Sequence, residues 1–145
     1  MSTFLKGDYM YNNSLIFMVT PTTANVAANG VLPLSSIARR RGRTITSETD
    51  SILLGAAGYY KINATITFTA PAAGNVTIVA RKNGADIQGL TATETITTAT
   101  TENRTITLSG VIRVLCSEAS ASITLVNTGV AIATSNIAVD IEYLD

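Results

Sequence analysis

The 145-residue chain has no histidine, no tryptophan, one cysteine and three prolines, and only 14% of its residues are charged. Without histidine it lacks the side chain most used for proton transfer near neutral pH and the commonest transition-metal ligand. Ser-His-Asp and Cys-His mechanisms are therefore excluded. A lone Cys116 rules out an internal disulfide, and a structural zinc site would need further thiolate or imidazole ligands. Cys116 reads as a core thiol, because it continues the apolar face of Ile106, Leu108, Ile112 and Val114. No stretch approaches the ~18 apolar residues of a membrane-spanning helix. Met1 to Asp8 lacks the basic-then-apolar layout of a signal peptide, so the chain is expected to be made and folded in a cytoplasm. Ten basic and ten acidic side chains cancel, leaving no global field to draw in nucleic acid or an anionic membrane.

Hydrophobic residues make up 46% of the chain, and its charged fraction falls well below the ~25% usual for globular proteins. The surface must then be covered by Thr, Ser and Asn, or by a neighbouring subunit. Thr is the commonest residue, and with Val and Ile it supplies β-branched side chains that favour a pleated sheet over a helix. Alternation is clearest from Tyr60 to Ala70, where Tyr60, Ile62, Ala64, Ile66 and Phe68 fall on one face and Lys61, Asn63, Thr65 and Thr67 on the other. Val76, Ile78 and Ala80 continue the theme, followed by Asn83-Gly84, a dipeptide suited to the positive φ of a tight hairpin. A returning strand is expected from Ala85 to about Ala92. Thr93 to Glu102 reads as an edge strand or an exposed loop.

Further strands are expected at Arg104 to Cys116, Ala121 to Thr128 and Asn136 to Leu144. Within the first, Gly110 marks a bulge or a close approach. Ile137, Val139, Ile141 and Tyr143 should face inward, with Asp140 and Glu142 outward. No helical stripe of useful length is present, and the short, closely spaced strands point to an all-β two-sheet sandwich or a barrel. Leu15 to Val19 differs because it is apolar at every position. It is either a central strand or part of a subunit interface, and Leu15, Phe17 and Val19 are its candidate contacts. The stretch from there to Tyr59 looks less regular, with a polar link from Thr44 to Ser51 and a short strand at Ile52 to Leu54.

Arg39, Arg40, Arg41 and Arg43 concentrate four of the ten basic residues in one place. They form either an anion- or partner-binding patch, or a solvated loop whose arginines pair with Glu48, Asp50 or an acid of the next subunit. Nucleic-acid binding usually adds exposed aromatics or a recognition helix, and neither accompanies this run, which argues against it. Tyr59 falls on the polar side of its strand, where it is either a subunit contact or simply exposed. Paired carboxylates are the remaining catalytic option. Asp140 and Glu142 share an exposed strand face, however, and Asp86, Glu94, Glu102 and Glu118 fall in turns or polar loops. The reading is a non-enzyme with no cofactor. Calcium held by loop oxygens stays open, although no EF-hand spacing is present.

From Gly55 onward the order of features resembles the globular head domain of the C1q and tumour-necrosis-factor superfamily, which has bacterial and bacteriophage members. The residues that carry the resemblance are Leu54-Gly-Ala-Ala-Gly-Tyr-Tyr-Lys-Ile-Asn63, Val76 to Gly84 with its Arg81-Lys-Asn-Gly84 ending, Ile106-Thr-Leu-Ser-Gly110 with Val111 to Leu115, and Asn136 to Leu144. Val111 stands where that family has an aspartate. The resemblance implies a C1q/TNF-like jelly roll of about eight to ten antiparallel strands that assembles as a homotrimer. One domain is expected from residue 14 to 145, preceded by an N-terminal arm over residues 1–13, with Leu15, Phe17, Val19 and Tyr59 as the candidate trimer contact on the grounds of the doubly apolar strand and the low surface charge. The implied role is that of a structural or adhesive protein of a bacteriophage virion, made in a bacterial cytoplasm. Its partners would be itself and other virion or surface proteins. The alternative is a receptor- or glycan-binding head, with a functional loop near Asp86 to Glu102.

Overall fold

The computed structural model describes residues 14–99 and 103–144, so the expected arm over residues 1–13 lies outside the described residues. Twelve strands are present among them: β1 (Leu15–Thr20), β2 (Ala24–Val26), β3 (Gly30–Val31), β4 (Ser36–Arg41), β5 (Ile45–Glu48), β6 (Ser51–Leu54), β7 (Gly58–Thr69), β8 (Gly74–Lys82), β9 (Ala85–Ile96), β10 (Arg104–Val114), β11 (Ala121–Asn127) and β12 (Ile132–Leu144). They form two antiparallel sheets. The first runs β10-β7-β12-β1-β4, with β2 against β12, and the second runs β5-β6-β11-β8-β9, with β3 against β11. Ten strands thus make two five-stranded paths, and the two shortest strands are additions.

The period-2 pattern builds the core directly. Tyr60, Ile62, Ala64, Ile66 and Phe68 of β7 are buried, as are Ile106, Leu108, Ile112 and Val114 of β10 and Ile137, Val139 and Ile141 of β12. Val76, Ile78 and Ala80 of β8 and Ile123 and Leu125 of β11 meet them from the second sheet. Asn83 and Gly84 take φ values of 52° and 86°, as the two-residue hairpin between β8 and β9 requires.

Several expectations are corrected. The short strand expected at Ile52 to Leu54 is found as β6, but the region between Val19 and Tyr59 holds four further strands, and the polar link from Thr44 to Ser51 is the hairpin of β5 and β6 turning at Asp50. These strands are short and partly exposed, so alternation in the sequence is faint. The edge-strand reading of the stretch after Ala92 holds as far as Ile96, where β9 pairs with β8 through Thr93–Thr77 to Ile96–Gly74 and the Thr77 and Thr93 hydroxyls meet at 2.9 Å. Of the two readings of Gly110, the close approach holds and the bulge does not: the β10–β7 register is unbroken, and a side chain there would meet Leu90 Cδ2 at 2.7 Å. The glycine lets Leu90, buried on β9, close the edge of the sandwich. Cys116 is exposed and not in the core. Strand β10 ends at Val114, and the Glu118 carboxylate accepts the Leu115 N–H at 2.8 Å while the Glu118 N–H reaches the Leu115 carbonyl at 2.9 Å. This turn carries Cys116 away from the sheet.

Candidate functional site

The outer face of the first sheet brings together Leu15, Phe17, Val19, Tyr59, Arg39 and Arg41 of the candidate residues. In β1, Ile16 and Met18 point into the core while Leu15, Phe17 and Val19 are only partly covered. The strand lies between β12 and β4, so it is an interior strand whose second apolar side remains open. The register sets its neighbours. Leu15 is flanked by Glu142 and Arg41, Phe17 by Asp140 and Arg39, and Val19 by Ala138 and Ser36. The rows continue across the sheet, from Glu142 to Lys61 and Val111, and from Asp140 to Asn63 and Ser109. Ser109 donates to Asn63 Oδ1 at 2.8 Å.

The arginine run is an edge strand and not a loop. Arg39, Arg40 and Arg41 belong to β4, and only Arg43 lies in the turn that Gly42 makes at φ 77°. Strand alternation divides the run: Arg39 and Arg41 share the face of Phe17 and Leu15, while Arg40 is opposite Ile16 and points the other way. All four are exposed. Arg39, Arg40 and Arg43 take no part in the three ion pairs among the described residues, which join Arg81 to Asp86, Lys82 to Glu118 and Arg104 to Glu94. The expected pairing with Glu48 or Asp50 is thus not found among these ion pairs, and the Asp50 carboxylate instead accepts the Leu34 N–H at 3.2 Å. Charge along an unpaired edge also discourages edge-to-edge association.

Tyr59 is on the same face, half exposed, in a row with Leu144 and Arg113. The Arg113 guanidinium lies 5.6 Å from its ring centre. The position is fixed from below by two tyrosines. Tyr60 donates to the Ala56 carbonyl at 2.6 Å, Tyr143 donates to the Ala57 carbonyl at 3.0 Å, and their rings meet edge to face at 5.0 Å. Burial pushes the Tyr60 phenol above its ordinary pKa. Tyr59, Val111, Leu144 and nearby Leu115 are four of the large apolar side chains that remain exposed.

The face therefore has an apolar strip along β1 with cations on the β4 side and the carboxylates of Asp140 and Glu142 on the β12 side. Leu15, Phe17, Arg39, Asp140 and Glu142 line a shallow groove of about 290 Å³. Chemically the face offers area, charge of both signs and a shallow groove. The carboxylate neighbours were readable from alternation, but the arginine flank was not, because Ser36 to Arg41 carries no period-2 apolar signal. The other candidate, the Asp86 to Glu102 loop, is largely strand β9, and Asp86 is tied to Arg81 at 2.7 Å. No group of three or more His, Cys, Asp or Glu able to hold a metal occurs among the described residues, and no helix there is long and apolar enough to cross a membrane.

Two five-stranded antiparallel sheets in this order form a jelly-roll sandwich, the fold shared by C1q- and TNF-like structures. Among solved structures, the chain is similar to the Eiger TNF of S. frugiperda, with a TM-score of 0.67 at 12% identity over 92% of each chain. It is similar to the globular domain of zebrafish complement 1qA, with a TM-score of 0.65 at 6% identity over 90% of this chain and 96% of that one. It also matches the PRD1 vertex protein P5, with a TM-score of 0.58 at 20% identity over 91% of this chain and 97% of that one. No family model matches the sequence, and no curated protein matches it.

Proposed function

We propose that this chain is a non-enzymatic structural and binding protein that assembles as a homotrimer and forms part of a bacteriophage virion. The observation that carries the reading is the outer face of the first sheet, where Leu15, Phe17 and Val19 stay partly open beside exposed Tyr59. Covering such a surface removes apolar area from water at about 25 cal/mol per Å². The likeness to a vertex protein supports the virion setting. The non-enzymatic part rests on the missing histidine and on the carboxylates, since Asp86, Glu94 and Glu118 are each engaged by a cation and Asp140 and Glu142 stand on an open face.

Sedimentation equilibrium tests the assembly. The expected result is one species of three chain masses at micromolar concentration, reduced to monomer by Phe17→Asp with the β-sheet circular dichroism intact. A wild-type chain that stays monomeric throughout that range overturns the reading.

A further inference from the structure

We infer that the contact between copies is set by an ion pair between Arg39 of one copy and Asp140 of the next. This rests on the reading above that the chain associates with itself through the outer face of the first sheet. Arg39 and Asp140 flank Phe17 in one cross-strand row, on opposite sides of it. Their row neighbours are uncharged: Phe17 lies between them, and Asn63 follows Asp140. The Arg39 guanidinium donates to the adjacent Ala38 carbonyl at 2.7 Å, and neither residue takes part in an ion pair among the described residues. Glu142, by contrast, has Lys61 directly opposite it.

Covering Phe17 with another surface draws both charges out of water, and a buried charge without a counter-ion is costly. The occupant must therefore bring an anion to Arg39 and a cation to Asp140. A second copy of this chain carries both signs at the same spacing about the same apolar centre, so the face is complementary to itself. A partner of one sign satisfies only half of it. The groove beside Phe17, lined by Arg39 and Asp140, gives each side chain room to reach across. Such a pair sets the register of the copies and opposes alignments that bring like charges together.

Charge reversal tests this in sedimentation and subunit-exchange measurements. Arg39→Asp alone and Asp140→Arg alone should each weaken self-association about ten- to a hundredfold, and the double variant R39D/D140R should return to within about threefold of wild type. Both positions are exposed, so at a concentration low enough to keep the chain monomeric the thermal unfolding of each variant should match the wild type. The double variant is decisive for a ring of three, because mixing the two single variants there leaves one like-charge contact unrelieved. Raising salt should weaken the wild type and the double variant equally. If the wild type assembles but the single reversals leave its affinity unchanged, or the double variant is no better than either, this pairing is overturned and the assembly reading stands. If the wild type does not assemble, both fall.

Discussion

Tyr60 shows how one side chain can stabilise the fold and position its surface. Its ring is buried in the core and its hydroxyl reaches the Ala56 carbonyl, which holds the turn from which Tyr59 emerges. Tyr60→Phe should lower stability by about 1 kcal/mol at neutral pH, the net worth of one hydrogen bond. Because burial raises the phenol above its ordinary value of 10.0, its contribution is complete below that pH and is lost as pH rises through the folded-state value. Urea unfolding should show a smaller alkaline loss of stability for Tyr60→Phe than for wild type. Gly129 makes a different kind of demand, since any Cβ there would strike the Asn75 carbonyl oxygen and the Thr77 nitrogen. Backbone cannot yield as a side-chain tip can, so Gly129→Ala should cost about 3 kcal/mol in the same measurement. The neighbouring Asn127 is legible only in three dimensions. It is fully buried, and its amide accepts from the Gly129 N–H at 3.0 Å and donates to the Val130 carbonyl at 2.7 Å.

At the scale of the element, β1 and β4 carry the main lesson. The uniform apolarity of Leu15 to Val19 hides an alternation that the sheet imposes, with Ile16 and Met18 inside and Leu15, Phe17 and Val19 outside. The two sets should separate cleanly in mutagenesis. Ile16→Ala should cost about 2–4 kcal/mol of folding stability by opening a cavity, whereas Phe17→Ala should leave monomer unfolding within about 0.5 kcal/mol and weaken self-association. Denaturant melts at a concentration low enough to keep the chain monomeric, beside sedimentation at higher concentration, distinguish them. Strand β4 lacked any such signal in the sequence. Ser36 to Arg41 has one large apolar residue, Ile37, and it is exposed, so nothing in the pattern reported a strand. Pairing with β1 makes it one, and the same pairing sends Arg39 and Arg41 to one face and Arg40 to the other. A charge cluster in the sequence is thereby divided by the two-residue period of the backbone.

Across the whole molecule, the pairing that brings the groove together is almost as long-range as the chain allows, since Leu15 lies beside Glu142. Sheets closed by such contacts fold slowly, because the loop entropy is lost before the pairing is gained. Stopped-flow refolding should therefore complete over milliseconds to seconds, and microsecond refolding would contradict the topology. By itself, the sequence determined the β class, the inward faces of β7, β8, β10, β11 and β12, and the hairpin at Asn83-Gly84, because each is written in a local period or a local turn preference. Tertiary structure alone decided the short strands β2 to β5, the exposure of Cys116, and the union of Arg39, Phe17 and Asp140 on one face. Those depend on which distant strand supplies the hydrogen bonds, and no local pattern of side chains encodes that choice.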